Sequence, residues 1–215
     1  MTIAAGLVAE LQARLGEDVG VAAREISGPM PLWPEERRAL DRATPDRLAE
    51  FSTGRACARA AMVNLGAPEA AVPVGRDRAP IWPEGIAGSI SHGSGLCVAL
   101  IAHAAKYPML GVDLEPDAPL PPDVVAEVLF TAEHRVPVSD QRILFSAKEA
   151  VYKAFYPIAR QVWGFDAVQV RLDGAAFEAR ITVPVHGWTN DTPVHGHVLR
   201  RDGVIVTALS LSPLK

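Results

Sequence analysis

Between Phe145 and Tyr156 the chain reads FSAKEAVYKAFY, and its apolar spacing commits this stretch to a helix with one buried face. Leu144, Ala147, Val151 and Ala154 recur at steps of three and four, the stripe of an amphipathic helix. Off that stripe, Glu149 and Lys153 are four residues apart, one turn or roughly 6 Å of rise, which aims a carboxylate and an ammonium at the same place. Lys148 lies beside them. Taken alone, such a pair fits the exposed Glu-to-Lys pairs that decorate many helices, so partners elsewhere in the chain decide whether it does chemistry.

A chain of 215 residues, 49% of them hydrophobic, can bury a core without staples and suits one large domain or two lobes of about 100 residues each. Its net charge of -4 gives no global basic field, which argues against nucleic acid as a partner and leaves any anion site local. Cys57 and Cys97 follow no metal or redox spacing and fit buried thiols in a reducing compartment. The start, MTIAAGLVAELQARL, has no basic leader and meets Glu10 early, so no secretory signal is expected. The longest apolar run, Gly95 to Ala105, is broken by His103 and is too short to cross a bilayer. The expectation is a cytoplasmic protein with no membrane span. Its 18 prolines are scattered through loop segments, and no internal sequence repeat is visible.

In chain order, Leu7, Val8, Leu11 and Leu15 mark a packing helix that Gly16 stops. SGPMPLWP (27–34) is a turn-rich link, and Glu35 through Leu65 reads as helix broken near Thr44 and Pro45. The second of these helices carries Arg47, Arg55 and Arg59 off its apolar side. Such a row fits either a solvated face with snorkelling stems or phosphate recognition by the guanidinium fork. PVGRDRAPIWPEG is a loop that sets Arg76 and Arg78 among turn residues. IAGSISHGSGLCVALIAH then reads as strand, turn and strand, with Ser91 and His92 where the first strand ends.

YPMLGVDLE (107–115) reads as a strand with Val112 and Leu114 on one side and Asp113 and Glu115 on the other, the two carboxylates about 7 Å apart along the chain. In a cleft, such a pair needs a cation to offset its repulsion, and oxygen-only ligands favour Mg²⁺ or Ca²⁺. PDAPLPP follows as a connector, then a helix-like Val124 to Leu129. Asp140 is a candidate N-cap for the central helix. Beyond it, Trp163 to Leu172 and Ala176 to Val183 read as strands, and Gly196 to Leu211 supplies one or two more. His195 and His197 stand two apart there, with no third ligand at metal spacing.

The order of these segments carries more than any one of them. GRxCARxA, GxxRAPxWPxGxxGSISH, GVDLEP, LFSAKEAVYKAFYP and WGF, in that order from about Arg47 to Val170, resemble the 4′-phosphopantetheinyl transferases of the surfactin-type class, enterobactin-synthetase-like subgroup. The resemblance implies an enzyme that moves the phosphopantetheine arm of coenzyme A onto a serine of an acyl or peptidyl carrier protein, releasing adenosine 3′,5′-bisphosphate. It implies an α+β fold of two similar lobes, here 1–106 and 107–215, related by a pseudo-twofold axis with coenzyme A between them. It assigns Mg²⁺ to Asp113, Glu115 and Glu149. Glu149 would also be the base toward the carrier serine, directly or through a metal-bound water, and Lys153 would contact the phosphates. His92, with Ser91, would hold the 3′-phosphate of coenzyme A, and Arg47 and Arg55 would bind the same end. A monomer is implied as well.

One position departs from the pattern: many relatives place a Lys before the proline of a GKP segment, where this chain has Ala79, so Arg76 or Arg78 would supply the charge. Carrier docking is expected near Val124 to Phe130, with Val125 and Leu129 as positions to substitute. A non-catalytic coenzyme A-binding module of the same fold is the alternative, opposed by the intact set Asp113, Glu115, Glu149 and Lys153. A different nucleotide phosphotransferase finds no P-loop or kinase-type glycine loop to support it.

Overall fold

The structure, a computed structural model, describes residues 2–38, 40, 43–130, 132–189 and 192–213. It divides into two units, Met1–Pro108 and Met109–Lys215.

In the first unit, Thr2 caps α1 (Ile3–Leu15) by accepting from the Ala5 N–H, and Gly16, at φ 80°, ends it. A strand that periodicity does not reveal follows, β1 (Val19–Glu25). Its first four residues are all buried because α1 and α3 both pack on it, so no polar–apolar alternation marks it. The helical stretch expected from Glu35 is the short α2 (Pro34–Arg37) and, after Thr44 caps it, α3 (Pro45–Asn64). Residues 39, 41 and 42, inside that stretch, lie outside the described residues. β2 (Ile86–Gly93) and β3 (Leu96–His103) form the expected hairpin. Its two-residue turn puts Ser94 and Gly95 at positive φ, the geometry that matches strand twist. The antiparallel order is β1-β3-β2, with α3 across β1 and β3.

The second unit is an antiparallel sheet in the order β4-β8-β7-β6-β5, formed by β4 (Met109–Pro116), β5 (Val168–Asp173), β6 (Ala176–Ile181), β7 (Val194–Arg201) and β8 (Val204–Leu211). α4 (Pro122–Val128) follows the proline connector, and α5 (Val138–Ala159) lies on β4 and β8. Leu144, Ala147, Val151 and Ala154 are fully buried, as their spacing predicts. Burying side chains the size of Leu or Val is worth about 1.5–3 kcal/mol each, which outweighs the weak propensity of any single helix position. Two boundaries differ from expectation. α5 starts after Pro137, so Asp140 is not its N-cap but lies in its first turn, where it accepts from Arg200 Nη1 at 3.0 Å. Residues 163–167 are not strand; they lead through a 3₁₀ turn at Phe165–Ala167 into β5. Helices laid on antiparallel sheets make this an α+β protein.

The sequence shows no repeat, yet one set of contacts occurs in both units. A Cβ on Gly20 in β1 would collide with the Ala61 carbonyl of α3, and a Cβ on Gly111 in β4 would collide with the Ala150 carbonyl of α5. Asn64 donates to the Val21 carbonyl at 2.8 Å, and Lys153 to the Val112 carbonyl at 3.2 Å. Arg59 meets Glu36 at 2.7 Å, where Lys148 meets Glu133 at 2.8 Å. Glu36 accepts from the Val72 and Trp33 N–H groups, and Glu133 from those of Val170 and Phe130. In each unit a buried glutamate thus ties the long helix to a neighbouring chain segment, and a strand glycine lets the helix sit close. By position in this frame, the first unit has Ala22, Arg24 and Ala60 where the second has Asp113, Glu115 and Glu149. Only the second carries a carboxylate centre on it.

Candidate active site

β4 alternates as its sequence predicts. Val112 and Leu114 are buried on one face, while Asp113 and Glu115 share with Gly111 the face on which α5 lies. From α5 comes a polar row alongside the apolar stripe: Ser146, Glu149 and Lys153, three and four residues apart. Lys153 Nζ donates to Asp113 Oδ1 at 2.7 Å, so the ammonium that the helix spacing aims toward Glu149 also grips the strand aspartate. Ser146 and Thr207 share a buried hydroxyl–hydroxyl bond of 2.9 Å, and Thr207 is the cross-strand partner of Asp113. Arg142 Nη1 donates to Glu115 Oε2 at 2.7 Å.

The electrostatics follow from this crowding. Burial pushes the half-buried Glu149 carboxyl above the ordinary carboxylate range; the Lys153 ammonium pulls it back, and Asp113 and Glu115 push it further up. Burial also raises Glu115, opposed by its bond to Arg142 and aided by Asp113. Three carboxylates in one field, offering oxygen alone, are the donor set of a hard divalent cation such as Mg²⁺. Among the described residues no three His, Cys, Asp or Glu side chains already close around an ion position. One oxygen of Asp113 is bonded to Lys153, and one of Glu115 to Arg142.

Lys148 stands apart from this centre despite its neighbour in sequence. It is buried, paired with Glu133, donates to the Val128 carbonyl at 2.6 Å and lies over the Phe130 ring; burial lowers its pKa. The expected docking segment is corrected in part: Leu129 is buried in the core of the second unit and Val125 packs partly against it. A bulky change at Leu129 would therefore unsettle the fold before it reported on docking.

In the first unit, Arg47 Nη1 lies 3.2 Å from His92 Nε2, and Glu50 neighbours both, 3.5 Å from Arg47 and 3.9 Å from His92 Nδ1. His92 is exposed while Ser91, by strand alternation, is buried. A cavity of about 450 Å³ opens beside His92, lined also by Ile26, Gly28, Pro45, Asp46 and Glu50. Arg55 is not on that surface. It is buried, its Nε donates to the Val72 carbonyl at 2.8 Å, its guanidinium covers the Phe51 ring, and burial brings its pKa down to about 10. Arg59 is likewise internal, bonded to Glu36 and the Pro31 carbonyl. Arg76 and Arg78 lie exposed on a tight loop closed by the Gly75–Ala79 hydrogen bond, Arg78 at φ 68°.

Residues 35–102 match the family described as 4′-phosphopantetheinyl transferase N-terminal domain, and residues 109–207 match the 4′-phosphopantetheinyl transferase superfamily. The chain belongs to the 4′-phosphopantetheinyl transferases. Phosphopantetheine transfer from coenzyme A to a carrier protein is its reaction. This transferase is 40% identical over 194 residues to 4′-phosphopantetheinyl transferase Svp of Streptomyces mobaraensis, across 84% of this chain and 79% of that protein. It is 36% identical to 4′-phosphopantetheinyl transferase Npt of Nocardia iowensis, across 82% and 88%. It is 33% identical to enterobactin synthase component D of Salmonella typhi, across 65% and 61%. No described helix of the transferase is long and apolar enough to cross a membrane.

Sequence reasoning reached Asp113, Glu115, Glu149 and Lys153 through alternation and helix spacing. It missed Arg142, Ser146 and Thr207, which act across the fold. A signal for the two buried glutamates was present, since each stands three residues after an aromatic, Trp33 and Phe130, whose N–H it accepts.

Proposed function

We infer that the carboxylate centre of the second unit is where the transferase activates the carrier serine, with Mg²⁺ bound by Asp113, Glu115 and Glu149. The observation that carries this reading is the placing of Asp113 and Glu115 on the face of β4 where α5 lies, in the field of Glu149, with Lys153 Nζ 2.7 Å from Asp113 Oδ1. A serine hydroxyl is a poor nucleophile until its proton has somewhere to go, and Glu149 takes that proton, directly or through a metal-bound water, as the oxygen attacks phosphorus. Bound Mg²⁺ would neutralise the charge that develops on the phosphates as adenosine 3′,5′-bisphosphate leaves. Lys153 holds Asp113 in place and lies beside the phosphates of coenzyme A as its positive charge.

In the first unit, Arg47 and His92 bind a phosphate of coenzyme A, a role their 3.2 Å approach and exposure support. Ser91 contributes through its place in β2 beside His92, and Arg55 by adding positive charge behind Arg47. Arg76 or Arg78, both exposed on the same loop, supplies the cation that Ala79 lacks. Two free cysteines fit a cytoplasmic site of action, and the chain works as a monomer on acyl or peptidyl carrier proteins, siderophore-pathway carriers among them.

The test is transfer to an apo carrier in EDTA, followed by Mg²⁺ titration, for the wild type and Asp113→Asn. Transfer that appears only with Mg²⁺, and needs far more of it in the variant, supports the reading; equal rates in EDTA would end it.

A further inference from the structure

Arg142 is the one arginine of α5 that reaches the carboxylate centre. Its guanidinium is largely buried and its donors go to three acceptors. Nη1 bonds Glu115 Oε2 at 2.7 Å, Nε bonds the Ala118 carbonyl at 2.6 Å, and Nη2 bonds the Pro119 carbonyl at 2.8 Å. The fork therefore joins one oxygen of a strand carboxylate to two successive carbonyls of the proline connector.

The connector needs such a tie. Prolines 116, 119, 121 and 122 leave it few N–H donors, so carbonyls that a sheet would satisfy must find side-chain partners. Arg200 reinforces it from β7, bonding both oxygens of Asp117 at 2.8 Å. Glu115 itself stands next to the last residue of β4, where a strand end leaves a long side chain free to rotate. Its Oε2 is fixed by Arg142, and that fixes where Oε1 points.

We propose that Arg142 is a positioning residue of the transferase, holding the Glu115 carboxylate in the one orientation that offers a divalent cation its free oxygen and locking the connector to that orientation. The proposal rests on the reading of Glu115 as a metal ligand. A planar five-donor fork is required, because an ammonium is a point charge that cannot hold three acceptors in this fixed arrangement. Charge and geometry also act in opposite directions here: a cation near the centre repels a divalent ion, whereas the orientation it imposes favours binding.

The experiment compares the wild-type chain with Arg142→Lys and Arg142→Gln, using Mn²⁺ titrated by electron paramagnetic resonance in the presence of coenzyme A. Thermal melts and coenzyme A calorimetry in EDTA check the fold. Loss of a partner that orients a ligand costs about tenfold or more in metal affinity. Both variants should therefore bind Mn²⁺ at least that much more weakly, and the Mg²⁺ giving half-maximal transfer should rise in step while kcat at saturating Mg²⁺ changes little. Were Arg142 only a counter-charge, R142K would match the wild type and R142Q would bind Mn²⁺ more tightly; either result overturns the proposal. Wild-type protein that holds no Mn²⁺ and transfers in EDTA would instead remove the metal reading on which the proposal stands.

Discussion

Glu149 is the residue on which opposing forces meet: burial, Asp113 and Glu115 disfavour its charge and Lys153 favours it, with a net upward shift. For a carboxylate raised above its unfolded value, the folded state binds the proton more tightly than the unfolded chain. Its contribution to stability is then full below the unfolded pKa and lost as pH rises through the folded one. In metal-free protein, Glu149→Gln should therefore melt higher than the wild type at neutral pH, and the gap should close as pH falls through the carboxylate range. Melts of both proteins in EDTA from pH 4 upward check this; a variant less stable than the wild type at neutral pH would mean that the Lys153 attraction dominates. At this scale the sequence was partly legible. Glu149 and Lys153 are one turn apart, and Asp113 and Glu115 are two residues apart on a strand, so local periodicity alone groups them. The fates of Arg55 and Arg59 were not legible, because a helix face reads as solvated until Glu36 and the Val72 carbonyl arrive from distant segments.

Each long helix is set against its sheet by one glycine. Gly111 lets the backbone of β4 meet α5 at Ala150, which brings Asp113 and Glu115 up to Glu149 and Lys153. Gly111→Ala must push strand and helix apart, since the atom it strikes is backbone. We expect a loss of about 1–3 kcal/mol, read from the urea midpoint, by the usual scale of overpacking. Transfer should fall further than stability, because the displaced strand carries the carboxylates; a variant with unchanged midpoint and rate would refute the close-approach argument. Among elements, α5 was legible because its stripe faces one core and keeps its period. β1 was not, since burial on both sides erases alternation and leaves VGVAARE looking like neither helix nor strand. The start of α5 was misread because Pro137 sets the helix without the side-chain cap that Asp140 suggested.

For the whole molecule, the α+β class and the family followed from the order of motifs, which no single residue pattern supplies. The recurrence of one helix-on-sheet frame in both units was hidden, because the residues that build it differ in type: Arg59 against Lys148, Asn64 against Lys153, Trp33 against Phe130. Contacts recur where letters do not. The frame also shows why the carboxylate cluster lies in the second unit, since Ala22, Arg24 and Ala60 stand in the first where the second has Asp113, Glu115 and Glu149.

We expect phosphopantetheine transfer to depend on the Glu149 carboxylate. The most direct test is the intact mass of apo acyl carrier and apo peptidyl carrier proteins after incubation with coenzyme A, Mg²⁺ and either the wild-type chain or Glu149→Gln. The wild type should add one phosphopantetheinyl group per carrier, and the variant, still folded and still binding coenzyme A, should be slower by roughly 10²–10⁴-fold, the usual contribution of a general base. Carrier modified by Glu149→Gln at the wild-type rate would contradict it.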